Sequence, residues 1–509
     1  MKYIKTFSVL FLLVLLFSCT KLDETFGGEL DRQDNSGITP GGLLQNAYNS
    51  ITGSFQTGNF WHLQEHTSDE VIGPTRGPDW DDNGQWRALH AHTWNADHGI
   101  VGGAFTELLG AQFAASNVLQ FSPSAQQSAE ARFIRALSMF AVLDGWDQVP
   151  YRENLNDYKE LPTTLKGTDA ANFIITELND VIADLPDSGP AYTANKNGAK
   201  ALLMKLYLNK GVYANRTTPA FDNGDLNQVI TLANDIIASA KYSITANKYF
   251  DNFAPNNDAV STENIYTFFN DGGVNRGGNV RGAWYQVAHY NMNPGGWNGF
   301  ATLSDFYDKF EATDERLGKN YTYPGALPNP GSRNDVGFFA GQQYNLTTDE
   351  ALKDRKGNPL IFTREVSIRE TGDNLEVTGI RVVKYPYDYS TSADQKNNDW
   401  ALLRYADVLL MKAEALLRTG DAPGALAIIN DIRAKRGATP LAAATLDNLL
   451  DERGRELYWE GWRRQDLIRF GKYLATWQEK PTDDPKNLLF PIPSNQLAVN
   501  PNLTQNPGY

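Results

Sequence analysis

Two segments carry the residue types that could hold a ligand. The first is Arg76-Gly77-Pro78-Asp79-Trp80-Asp81-Asp82-Asn83-Gly84, too polar to form core and with turn residues on both sides of Trp80. An indole in such a loop presents a flat apolar face on which the apolar face of a pyranose can stack. Covering about 100 Å² of it is worth roughly 2.5 kcal/mol before ordering costs. Arg76, Asp79 and Asp81 would then donate to, or accept from, hydroxyls at the ring edge. The second segment is the glycine- and asparagine-rich stretch 272–299. There Trp284, Tyr285, Tyr290 and Trp297 offer further stacking faces, and Asn291, Asn293 and Asn298 further polar partners. The candidate glycan-binding residues are therefore Arg76, Asp79, Trp80, Asp81, Trp284, Tyr290 and Trp297. The carboxylates of Asp79, Asp81 and Asp82, with Asn83, also supply the hard oxygens of a possible calcium site, but the pattern requires no cofactor.

Other chemistries have weaker support. His62, His66, His90, His92 and His98 fall in one short window, and His62 and His66 are spaced to share a helix face, as metal ligation requires. Leu63 stands where a zinc-protease glutamate would follow the first histidine, so packed or hydrogen-bonded histidines are expected instead. In the block Asp451 to Phe470, Glu452, Glu456 and Glu460 recur at helical spacing. Two such acids could serve a glycosidase. Arg453, Arg455, Arg463 and Arg464 stand beside them and would keep them ionised, so structural ion pairing is expected and a catalytic residue is not. The glycines between 272 and 278 have no following Gly-Lys-Ser and form no phosphate loop.

Helices must position these loops. Apolar residues recur at spacings of three and four over Ala129–Asp144, Ala170–Leu185, Gly198–Val212, Leu226–Ala240 and Leu402–Arg418. The last is followed by Gly420-Asp421 and a further helix, Ala422–Lys435, with Pro423 near its start and Gly437 past its end. Ala413, Gly420, Ala425, Ile429 and Ile432 fall at spacings like those of a tetratricopeptide repeat. Residues 52–100 and 241–400 lack this periodicity and are rich in Gly, Asn, Asp, Pro and aromatics, with short strand-like runs such as Glu376–Val383. Long irregular stretches in a large protein usually carry function. The expected fold is mainly α, a scaffold of helical hairpins (43–240 and 401–509) bearing an irregular, aromatic-rich cap (mainly 52–100 and 241–400) with a few short strands. Trp86 and Trp94 are read as core.

Composition narrows the partners. The 509 residues carry 46 basic and 60 acidic side chains, a net charge of -14, which disfavours nucleic acid as a partner. The single cysteine, Cys19, cannot form an internal disulfide. It follows Lys2, Lys5 and an apolar run from Val9 to Phe17 that is too short to span a bilayer. The arrangement resembles a bacterial lipoprotein signal over residues 1–18, with Cys19 as the lipidation site and 19–42 as a flexible tether. Acyl chains on Cys19 would anchor the protein to a membrane without spanning it.

In the C-terminal third the motifs are specific enough to name a family. Leu403-Arg404-Tyr405-Ala406-Asp407-Val408-Leu409-Leu410, Ala413-Glu414-Ala415, Asn430-Asp431-Ile432-Arg433 and Arg436-Gly437 are followed by Glu452-Arg453, Glu456-Leu457, Glu460-Gly461 and Asp466-Leu467-Ile468-Arg469. Together with Pro491-Ile492-Pro493 and the terminal Gln505-Asn506-Pro507-Gly508-Tyr509, this series resembles the SusD/RagB family of Bacteroidetes lipoproteins. Upstream blocks in family order, among them Ala129 to Ala136, Leu161-Pro162 and Glu263-Asn264-Ile265, extend the resemblance over most of the chain. The resemblance implies a tetratricopeptide-like scaffold and a non-catalytic, lipid-anchored protein exposed at the outer-membrane surface. Such a protein would bind oligosaccharide or polysaccharide and pass it to a SusC-like TonB-dependent transporter. The tryptophan-rich cap suits a flat-faced β-glucan. A surface glycoside hydrolase, a helical-repeat protein adaptor and a peptide-import lipoprotein are the alternatives.

Overall fold

Local capping chemistry sets the main helices of the computed structural model, which describes residues 37–509 apart from 153–154, 156–159, 273–279, 392–394 and 482. Cys19, the signal segment and most of the tether lie outside the described residues. The first four helices are α1 (Pro40–Phe55), α2 (Asn59–His66), α3 (Gln85–His90) and α4 (Gly99–Val118). Next come α5 (Ala125–Trp146), α6 (Gly167–Val181), α7 (Lys196–Ala214) and α8 (Asn223–Ala238). After the cap follow α9 (Tyr405–Arg418), α10 (Ala422–Lys435), α11 (Leu446–Leu457) and α12 (Arg463–Arg469). Ser124 and Gln127 form a reciprocal capping box on α5, while Asn195, Asp222, Asp421 and Thr445 accept backbone N–H groups at the starts of α7, α8, α10 and α11.

The helices pack in series: α4 lies on α1 and α5, α6 on α5 and α7, α8 on α7 and α9, and α10 and α11 on α9. Pro40–Tyr509 cluster as one unit, and one large apolar core runs from α1 through the cap. Ala406, Ala413 and Ala425 are buried where α9 meets α10, so small side chains let these two helices approach closely. The described strands form five small sheets, the largest three-stranded, and one of them, Gln148–Tyr151 with Thr163–Lys166, belongs to the scaffold. No described helix is long and apolar enough to cross a membrane. The mainly α scaffold with an irregular, aromatic-rich cap is thus the observed architecture.

Four expectations need correction. The apolar run from Leu402 begins as a strand, Trp400–Arg404, paired antiparallel with Asn264–Phe268; α9 starts only at Tyr405. All five strand residues are buried, so the alternation that marks a half-exposed strand is absent from the sequence. The segment 52–100 holds the end of α1 and all of α2 and α3. Seven of the eight residues of α2 are buried, which erases its helical stripe. In Glu376–Val383 only Arg381–Val383 form a strand, because Gly379 turns the chain at φ +82°. The block 451–470 is two helices broken at Tyr458–Trp462. Trp459 and Gly461 take positive φ there, and their N–H groups donate to the buried carboxylates of Glu70 and Glu65.

Candidate functional site

The loop bearing Trp80 is closed by mutual backbone hydrogen bonds between Arg76 and Asp79, with Gly77 at φ +65° turning the corner. Trp80 itself sits at φ +60°, a conformation unfavourable for a bulky residue and held here by tertiary contacts. Its Nε1–H donates to Trp297 O at 2.9 Å, and its ring lies 4.8 Å from Phe300 and 6.5 Å from Trp297, centroid to centroid. A Cβ on Gly299 would come within 2.3 Å of the Trp80 ring, so only glycine permits this seat. The opposing loop is folded by Trp297 N donating to Tyr285 O and by Gly299 N and Phe300 N donating to Gln286 O. Tyr285 stands 5.6 Å from Trp297, which is 48% exposed. Trp80, Trp297 and Tyr285 form an open aromatic platform backed by Phe300 and Trp86.

One edge of the platform is polar. Tyr290 Oη donates to Asp79 Oδ2 at 3.3 Å, and the Arg355 guanidinium lies 4.0 Å from the Tyr290 ring centroid and 3.8 Å from Asp79 Oδ2. Arg355 Nε donates to Glu376 Oε1 at 2.6 Å, and Glu376 Oε2 also meets His289 Nε2 at 2.9 Å. Partial burial raises the Tyr290 phenol and the neighbouring Asp79 carboxylate adds to the effect, so Tyr290 remains a donor at neutral pH. The arrangement offers stacking faces next to half-exposed donors and acceptors, which suits a hydroxyl-rich ring.

Of the seven predicted residues, Asp79, Trp80, Tyr290 and Trp297 come together here. Asp81 lies on the same loop, half-exposed, and accepts from Arg87 at 2.6 Å. Two predictions are corrected. Trp284 is 1% exposed, donates to Tyr385 O at 2.7 Å and packs 4.8 Å from the Tyr387 ring, so it belongs to the core. Arg76 is 3% exposed and spends its donors on Gly299 O, Leu375 O and Thr378 O, where it ties the two platform loops together from beneath. Burial lowers its guanidinium to about 10. Sequence reasoning missed Arg355, Glu376 and Gly299, and none stands in a motif. A turn at Lys356-Gly357-Asn358-Pro359 beside Arg355 was the only local signal.

The acids weighed for calcium face separate partners: Asp79 turns to Tyr290, Asp81 to Arg87 and Asp82 to Trp86 Nε1. The histidines are packed, as expected. His62 and His66 lie against Trp61, Trp86 and Phe300, while the ring nitrogens of His90 stand 3.2 Å from Val71 O and 3.1 Å from Gln478 O, one of which accepts its single N–H. Burial lowers His62 to about 3 and His90 to about 4, so both are neutral.

The charged block is ion-paired away from solvent, largely with residues brought from outside it. Glu456 receives Arg404, Arg436 and Arg316 at 3.1, 2.9 and 3.0 Å, and Glu460 receives Arg404 at 2.7 Å. Burial would raise Glu452, but Arg316, Arg455 and Arg433 outweigh it and hold the carboxyl at about 2. An acid so ionised and enclosed cannot protonate a glycosidic oxygen.

Comparison with known proteins identifies the family and the fold. The SusD family model matches residues 232–509. The starch-binding protein SusD of Bacteroides thetaiotaomicron is 29% identical over 421 residues, covering 75% of this chain and 73% of that protein. A SusD superfamily protein from Parabacteroides distasonis superposes with a TM-score of 0.70 at 19% identity, over 93% of this chain and 100% of that one. Surface glycan-binding protein A from Bacteroides thetaiotaomicron, solved in complex with laminarihexaose, gives a TM-score of 0.68 at 17% identity, over 92% and 98% of the two chains. With more than half its length matched by the family model, the chain belongs to the SusD family, whose members are non-catalytic binding proteins.

Proposed function

We propose that this protein captures oligosaccharide or polysaccharide at the outer-membrane surface and hands it, unmodified, to a SusC-like TonB-dependent transporter. The observation that carries the reading is the open platform of Trp80, Tyr285 and Trp297 with Asp79, Tyr290 and Arg355 along its edge. Aromatic faces accept any pyranose with an apolar side, and the edge groups select among hydroxyl orientations. A flat-faced β-glucan is the favoured cargo. The laminarihexaose complex of a protein with the same fold supports that choice. Acylation of Cys19 would hold the protein at the membrane, since its acidic balance gives no attraction to an anionic lipid surface.

Affinity electrophoresis and calorimetry on a glycan panel test the reading. Retardation by β-glucan that is lost in Trp297→Ala, with no new reducing ends released, is the expected result. Binding to none of the glycans would reject it, and reducing ends released by the pure protein would return the hydrolase alternative.

A further inference from the structure

Beside the platform loop lies a second cleft of about 650 Å³, where the end of α1 meets the starts of α2, α3 and α4. Gly53 of α1 and Gly99 of α4 line it, and a Cβ built at either position would meet nothing within 4 Å. Ser54 and His62 also line it, 2% and 5% exposed, and neither Ser54 Oγ nor His62 Nδ1 has a hydrogen-bond partner in the protein. Both atoms are closed off from solvent, so the polar groups a ligand can reach are the half-buried rim side chains of Ser50, Asn59 and Gln85.

The lining also fixes the ligand's chemistry. Asn59 Nδ2 donates to Glu107 Oε1 at 2.6 Å, which occupies the single carboxylate of the lining, and no lysine or arginine is present to pair an anionic group. Trp86 supplies an apolar wall, and its ring also stands 4.8 Å from Phe300 and 6.1 Å from Trp80. One indole therefore joins the cleft to the platform, and Gln85 enters the cleft five residues after Trp80.

We propose that this cleft is a second sugar subsite, which takes one neutral pyranose unit and lengthens the footprint of the Trp80–Trp297 platform. The proposal rests on the glycan-binding reading above and adds to it a second place of contact.

Gly53→Gln fills the cleft from an exposed helical position where a side chain costs the fold nothing and improves helix propensity. Asn59→Ala removes a rim donor. Each variant is compared with the wild type and Trp297→Ala by calorimetry with laminarihexaose and by saturation-transfer NMR with laminaribiose. The expected result is roughly three- to tenfold weaker laminarihexaose binding in Gly53→Gln and Asn59→Ala, the loss of one to two neutral hydrogen bonds. The laminaribiose signal that survives in Trp297→Ala should also disappear when Gly53→Gln is added. Wild-type affinity in both cleft variants, with Trp297→Ala alone abolishing every signal, overturns the subsite and leaves the proposed function standing. Absence of binding in the wild type to these and every other glycan of the panel overturns both.

Discussion

The charged heart of the molecule and the aromatic rim of its cap use similar residue types in opposite ways. Around Glu456, the guanidinium groups of Arg316, Arg404 and Arg436 converge on carboxylates with no solvent exposure. At the rim, Arg355 and Asp79 are each about half-exposed and share Tyr290 between them. Buried pairs fix geometry because removing one partner strands a charge in a medium that cannot solvate it. Exposed pairs exchange readily with water, and so also with a sugar hydroxyl. The most recognisable sequence block is therefore a framework, and the less regular one is the proposed contact surface.

The largest break in this contrast should come from the heart. Glu456→Ala leaves three buried arginines short of a partner and should cost about 3–5 kcal/mol of stability, read as a large fall in the denaturant midpoint. An equal effect from Asp79→Ala would erase the distinction. A comparable pair lies inside the cap. Trp284→Ala should cost about 3–5 kcal/mol of stability, as a core truncation does. Trp297→Ala, thirteen residues along, should leave the melting temperature near wild type and weaken glycan binding by about tenfold or more, a loss of one stacking face worth roughly 1–3 kcal/mol.

Acid separates the regions further. His62 is neutral when folded because burial lowers it to about 3, while the unfolded chain binds a proton there below pH 6.5. The folded state therefore loses about 2–3 kcal/mol relative to the unfolded one as pH falls from 6.5 to 4.5. Glu65, raised by burial to about 7, acts in the opposite sense: its ionisation opposes folding as pH rises from 4.5 to 7. The clean measurement is thus the difference between wild type and His62→Gln, whose stability gap should change by that amount across this window. Glu452, held at about 2, contributes fully above pH 4.5 and loses its contribution only as pH falls from 4.5 to 2. The smallest expected effect is Arg355→Ala. It should weaken glycan binding about threefold by freeing Tyr290 from its stacked position, with Arg355→Lys recovering only part because an ammonium cannot lie flat on the ring.

Much of the scaffold was legible. Ala422–Lys435 is a helix with the predicted bounds because its ends carry their own signals, Asp421 and Pro423 at one end and Gly437 at the other. Strand Trp400–Arg404 and helix α2 were not legible, since burial on all sides removes the periodicity that sequence reasoning reads. In the candidate site the Trp80 loop and Trp297 could be found because aromatics among glycine, proline and aspartate have no local core to join. Trp284 stands in the same kind of sequence and could not be told from them.

By itself the sequence determined the helical hairpins, the ionised and ion-paired character of the acidic block and the two segments that supply the platform. These follow from local propensity, charge balance and turn chemistry, all of which act within a few residues. Only the tertiary structure decided which tryptophan faces solvent, that Arg76 braces the platform from beneath, and that Arg355 and Glu376 border it. Those outcomes depend on which distant segments meet, such as Trp80 against Gly299 and Tyr290 against Arg355, and burial is a property of that meeting.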